Sequence, residues 1–264
     1  FLYGPPGNGK TVMAEAIGKM LEAVGAGEVY IPYAMEVDGQ IIQVYDQITH
    51  VKVDVPQEAT RSLIENKKEY DARWVLCKRP IEFAGGELTM ATLDLTFNPS
   101  AKYYKAPPHI KANGGVFLID DFGRQLVRPR DLLNRWIVPL EKRVDYLTLH
   151  TGKVFQVPFD TIVLFATNLE PAKLADEAFL RRIRNKVYIA DPTPDRFKQI
   201  FEEVCIKKGV PYDGDAVDYL LKDVYEKYQL NMRSCHPRDL IEQIMSIAKF
   251  NSVPPTLSKK FIDR

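Results

Sequence analysis

Gly4-Pro5-Pro6-Gly7-Asn8-Gly9-Lys10-Thr11 is the first set of residues whose types and spacing point to chemistry. It fits G-x-x-x-x-G-K-[ST] at every position, the pattern of a loop whose backbone N–H groups turn inward around phosphate oxygens. Gly4, Gly7 and Gly9 permit the turn, and Pro5, Pro6 and Asn8, at the variable positions, are candidate nucleotide-binding residues with them. Lys10 supplies a point charge for β- and γ-phosphates, and the Thr11 hydroxyl is a ligand for Mg²⁺. Phosphoryl chemistry also needs a carboxylate beside the metal and a group that activates water. Asp120 and Asp121, directly after Val116-Phe117-Leu118-Ile119, supply both: Asp120 toward Mg²⁺, directly or through water, and Asp121 toward the attacking water. The plain alternative is a buried strand ending in two solvated acids. Asn168 closes another apolar run, Thr161–Thr167, and offers a neutral amide to the γ-phosphate or the water.

These residues need elements to hold them. Phe1-Leu2-Tyr3 reads as the end of an apolar strand whose beginning is cut short, since the phosphate pattern starts at the fourth residue. After Thr11, the residues Met13, Ala16, Ile17, Met20, Leu21 and Val24 recur at helical spacing, and Gly25 is placed to end that helix. Its N-terminus then points at the phosphates. The four apolar residues before Asp120 predict a strand buried on both faces, as in a parallel sheet. Asp191-Pro192-Thr193-Pro194 breaks the chain, and the period after it is helical. Thr193 can cap a helix with Pro194 at its first position, burying Phe197, Ile200, Phe201, Val204 and Cys205 and ending at Gly209. Val217, Leu220, Leu221, Val224 and Tyr225 predict a second helix. A third opens at Pro237 and buries Leu240, Ile241, Ile244 and Ile247.

Composition narrows the classes. The 264 residues suggest about two domains. Lys+Arg is 36 against Asp+Glu 35, a net charge of +1, so overall charge does not drive binding to nucleic acid or an anionic membrane. A hydrophobic fraction of 45% is enough for a substantial core. No apolar run reaches the ~18 residues of a membrane-spanning helix. Cys77, Cys205 and Cys235 form no C-x-x-C pair, which fits a reducing compartment and gives no zinc or disulfide framework.

Together the motifs resemble the AAA+ ATPase family. Gly4–Thr11 resembles its Walker A, Val116–Asp121 its Walker B and Asn168 its sensor 1. Ala178–Ile183, with Arg181 and Arg182, is similar to the segment carrying the arginine finger, and Cys235–Leu240 to the sensor 2 segment, with Arg238 as the sensor. The family usually has Glu where this chain has Asp121, a carboxylate one methylene shorter, so the reach to water changes. Arg143–Leu149 and Lys153–Val157 around His150-Thr151-Gly152 predict a hairpin before the third strand. With Ala112-Asn113-Gly114-Gly115 upstream, this is similar to the clade with a hairpin before sensor 1, which includes MoxR-type ATPases and bacterial enhancer-binding activators. The activators' G-A-F-T-G-A loop is absent.

The resemblance implies an α/β fold: a P-loop parallel-sheet core with β-hairpin insertions over residues 1–190, then a small α-helical lid over 191–264. It implies ATP and Mg²⁺ as ligands, hydrolysis, a ring-forming homo-oligomer with a hexamer among the candidate sizes, a protein client and a cytoplasmic setting. Two alternatives stay open. One is an ATP-gated assembly module that hydrolyses weakly because Asp121 replaces Glu. The other is a DNA-directed ATPase, a loader or activator.

Residues 30–110 are longer than a simple helix–strand connection. Asp38-Gly39 predicts a hairpin between Tyr30–Val37 and Ile41–Tyr45, and Gly85-Gly86 a second between Ile81–Phe83 and Leu88–Met90. Gln57–Tyr70 reads as a polar helix. Tyr103 and Tyr104 are candidates either to grip a substrate chain or to cover the insertion's own core. The basic stretch Gly123–Arg130 is a candidate contact for nucleic acid or a neighbouring subunit, but it lacks the interleaved aromatics that stack bases.

Overall fold

The computed structural model describes residues 1–23, 27–53 and 71–262. Val24, Gly25 and the helix expected over 57–70 lie outside the described residues. The strands are β1 (Leu2–Tyr3), β2 (Glu28–Pro32), β3 (Ala34–Val37), β4 (Gln40–Gln43), β5 (Trp74–Lys78), β6 (Ile81–Ala84), β7 (Thr96–Asn98), β8 (Tyr103–Lys105), β9 (Val116–Ile119), β10 (Val144–Thr148), β11 (Val154–Pro158), β12 (Ile162–Thr167) and β13 (Val187–Tyr188). The helices are α1 (Lys10–Ala23), α2 (Pro108–Lys111), α3 (Pro129–Arg135), α4 (Ile137–Lys142), α5 (Pro171–Leu174), α6 (Glu177–Leu180), α7 (Pro194–Lys208), α8 (Gly214–Tyr219), α9 (His236–Phe250) and α10 (Lys259–Ile262). The chain divides into two compact units: Phe1–Tyr3 with Thr11–Val187, and Gly4–Lys10 with Tyr188–Arg264.

The first unit is built on a sheet in the order β13-β1-β12-β9-β6. β1 pairs with β12, β12 with β9 and β9 with β6, all parallel. Every residue of β9 is buried, as expected of an inner strand covered on both faces. Phe117, Ile119, Phe165, Leu132, Leu133 and Trp136 form one cluster against it. The expected helix around Leu132–Trp136 is divided: Trp136 ends α3, begins α4 and is fully buried.

The two expected hairpins have different outcomes. The hairpin about Gly85-Gly86 does not form: β6 pairs parallel with β9 in the main sheet, and Leu88–Met90 is not a strand. The hairpin about Asp38-Gly39 does form, but only between β3 and β4, while β2 pairs with β5 instead. Among the described residues of α1 after Lys10, Ala14 and Gly18 are buried, whereas Met13 and Met20 are exposed. A Cβ on Gly18 would overlap the end of the Ile81 side chain, so α1 lies directly against β6 at this point.

Region 30–110 has a separate core. β3-β4-β8-β7 form a four-stranded sheet, and Ile42, Val75, Cys77 and Tyr104 cluster with Leu147, Leu149 and Val157 of the β10–β11 arm. Tyr104 is buried and its hydroxyl meets His150 Nδ1 at the arm's tip, so it is a core residue and not an exposed grip.

The second unit is helical. Thr193 Oγ1 accepts from Arg196 N at 3.3 Å, capping α7, and Gly209 closes that helix with φ 68°. α8 continues as a π-helical stretch over Leu220–Glu226. Phe197, Phe201, Cys205, Val217, Ile241 and Ile244 pack together, which makes Cys205 a core residue.

Candidate functional site

In the first unit the strand ends bring predicted site residues into contact. Thr11 Oγ1, in the first turn of α1, donates to Asp120 Oδ2 at 2.7 Å. Asp121 N donates to Asp120 Oδ1 at 2.9 Å, so one carboxylate oxygen is held by the adjoining backbone while the other faces Thr11. Asn168 Nδ2 donates to Asp121 Oδ1 at 3.3 Å, joining the ends of β9 and β12. Asp121 has φ 47°, a left-handed backbone that Asp tolerates better than most residues and that is often held at functional turns. The turn is pinned from both sides: Phe122 N donates to Ala166 O at 2.7 Å, and Thr167 Oγ1 donates to Phe122 O at 2.7 Å. Gln125 Nε2 donates to Asp120 O at 2.8 Å. Sequence does not single out Gln125, because one Gln in a basic loop carries no spacing signal.

Thr11 and Asp120 pass a chemical test for Mg²⁺. A hydroxyl and a carboxylate oxygen lie side by side, and Mg²⁺ characteristically takes one or two carboxylates, a hydroxyl and several waters. Among the described residues no cluster of three or more His, Cys, Asp or Glu side chains forms a metal cage of another kind.

In the second unit, the Gly4–Lys10 loop runs through left-handed backbone at Gly4, Gly7 and Gly9. At Gly7 the need for glycine is twofold: φ is 79°, and a Cβ would lie 2.7 Å from Cys235 Sγ. Lys10 is buried, and its Nζ donates to Gly4 O at 3.1 Å and Pro5 O at 2.8 Å. Those bonds fold the ammonium back over the loop it would share with a phosphate. Asn8 is buried as well and touches Asp191 and Ser234. Arg238, in the first turn of α9, is exposed and pairs with Asp239 Oδ1 at 3.0 Å.

The two arginines of the α6 segment differ. Arg182 Nε donates to Glu141 Oε1 at 2.6 Å and its side chain is 27% exposed. Arg181 pairs with Glu177 one helical turn away, at 2.9 Å, and its side chain is 75% exposed. Arg182 is therefore built into its own unit, whereas Arg181 stands on the surface.

A buried polar network without a sequence signature ties the β10–β11 arm to the core. Asp145, on β10, accepts from His109 Nε2 at 2.8 Å and from Arg135 NH2 at 3.0 Å. Burial outweighs the neighbouring carboxylate and holds the His109 imidazole below its ordinary range. His109 Nδ1 has no hydrogen-bond partner, so a second proton there would be a buried, unsatisfied donor. Burial of Asp145 is offset by His109 and Arg135, which hold its carboxyl below the usual carboxylate range. The three residues lie on different elements, with no spacing to reveal them.

Comparison with known proteins bears on the fold. NtrX from Brucella abortus superposes with a TM-score of 0.56 at 13% identity, covering 98% of this chain and 48% of that one. NtrX in complex with ATP gives the same TM-score and identity, covering 98% of this chain and 50% of that one. A proline-to-glycine point mutant of Thermotoga maritima RuvB gives a TM-score of 0.52 at 13% identity, covering 99% of this chain and 59% of that one. The chain thus spans about half the length of these structures, and it shares their mixed α/β fold with a parallel-sheet core. A family model described as a domain of unknown function (DUF8689) matches residues 193–264, the helical C-terminal segment. No curated protein matches the sequence.

Proposed function

We propose that this chain binds Mg·ATP and hydrolyses it. The observation that carries the reading is the pairing of Thr11 with Asp120 and of Asp121 with Asn168 at adjacent ends of parallel strands, directly after a complete phosphate-loop sequence. Gly4–Lys10 would wrap the phosphates with backbone N–H groups, and Lys10 would exchange its loop carbonyls for phosphate oxygens. Thr11 and Asp120 would hold Mg²⁺, which neutralises charge on the β- and γ-phosphates. Asp121 would accept the proton of the attacking water, with Asn168 fixing the direction of its carboxylate. Arg238 would add a cation toward the γ-phosphate.

In our reading the chain acts as a homo-oligomeric ring in the cytoplasm and turns over ATP to remodel a protein client. The exposed Arg181, in preference to Arg182, would reach a neighbour's nucleotide. The β10–β11 arm directly ahead of β12 supports membership of the clade with a hairpin before sensor 1. Phosphate release from Mg·ATP by the purified chain tests the proposal. Turnover that disappears in Lys10→Ala is expected; turnover that survives this change would place the activity elsewhere.

A further inference from the structure

The sequence pattern leaves Asn8 as a variable position of the phosphate loop, yet the residue is 5% exposed and uses both ends of its amide. Nδ2 donates to Asp191 Oδ1 at 2.7 Å, and Oδ1 accepts from Ser234 N at 3.0 Å. The partners fix the orientation of the amide, because a carboxylate only accepts and a backbone N–H only donates. Next to it, Cys235 N donates to Gly7 O at 2.9 Å. Asp191 also binds the Arg233 guanidinium, so three successive residues, 233 to 235, bear on the loop either directly or through Asp191.

Those residues lead straight into α9. Cys235 is its N-cap and makes no side-chain capping bond, and its carbonyl accepts the first-turn bond from Asp239 N at 3.1 Å. The start of α9 is therefore seated on the loop backbone and the Asn8 amide. Arg238 lies three residues beyond Cys235. A donor and an acceptor at this reach are what Asn offers and Ala, Ser or Asp do not.

We infer that Asn8 is a positioning residue that couples the phosphate loop to the start of α9, so that phosphate entering the loop sets where Arg238 points. This rests on the reading of the loop as an ATP site with Arg238 near the γ-phosphate. Filling the loop draws Lys10 from Gly4 O and Pro5 O and moves the loop backbone. Asn8 and Gly7 O carry that movement to residues 234 and 235.

Equilibrium titration of the chain with fluorescent ATP and ADP analogues plus Mg²⁺ tests the coupling. The variants are Asn8→Ala, Arg238→Ala, the double substitution and Lys10→Ala. Asn8→Ala is expected to lower the preference for ATP over ADP about tenfold, as Arg238→Ala does. The double variant is expected to be no worse than either single one, since both act through one unit. Equal weakening of ATP and ADP by Asn8→Ala, or single effects that multiply in the double variant, would overturn the coupling while leaving the ATP site standing. Wild-type protein that binds neither analogue overturns the site and the coupling together. Asn8→Ser, polar but too short to reach both partners, gives the same readout if Asn8→Ala does not fold.

Discussion

At the residue scale, the hydrolysis we propose would depend most on Asp121. Its carboxylate is one methylene shorter than Glu, but its left-handed backbone and the Asn168 amide give it a defined direction. Asp121→Asn keeps the size and the turn while removing the base, so turnover should fall by about 10²–10⁴ with ATP affinity little changed. A fall in affinity matched by unchanged turnover would assign Asp121 to binding instead. The motif residues are legible in sequence because their chemistry fixes their types: a phosphate loop needs glycines and Lys10, and a strand end needs a carboxylate. Asn8 is legible as a member of the phosphate loop but its side-chain contacts are not, since Asp191 and Ser234 are about two hundred residues away in the chain.

At the element scale, β9, β12 and the β10–β11 arm follow from apolar runs and turn residues that act locally. β6 does not, because Gly85-Gly86 imitates a hairpin turn while the true partner is a parallel strand whose pairing is non-local. On α1 the small residues Ala14 and Gly18 are buried while Met13 and Met20 are exposed, and at position 18 a Cβ would press on the Ile81 side chain. The arm's anchorage makes a stability prediction. Asp145→Ala would leave His109 and Arg135 without their carboxylate and should cost about 3 kcal/mol in denaturant unfolding. His109 adds a pH dependence. The unfolded imidazole takes up a proton near pH ~6.5, while the buried one resists until lower pH. Between these values the unfolded state binds more protons, so stability is full above about pH 6.5 and declines as pH falls. His109→Asn should flatten part of that decline; an unchanged slope would remove His109 as its source.

At the scale of the whole molecule, a net charge of +1 leaves recognition to locally placed groups rather than to the overall charge. Arg181 is exposed on the α6 segment, and in the proposed ring it is the residue that would reach a neighbour's nucleotide. Light scattering should show an assembly of higher mass with Mg·ATP than without. Arg181→Ala should leave that mass intact but lower turnover by as much as ~10³ or more; turnover unaffected by the substitution would take Arg181 out of the site. The central claim is that the Gly4–Thr11 loop binds ATP, and equilibrium titration of Mg·ATP into wild-type and Lys10→Ala protein tests it most directly. The expected result is saturable, stoichiometric binding by wild type that weakens about a hundredfold in Lys10→Ala, through loss of a charge-assisted bond to phosphate. Equal affinity in the two proteins, or no binding by either, would contradict it.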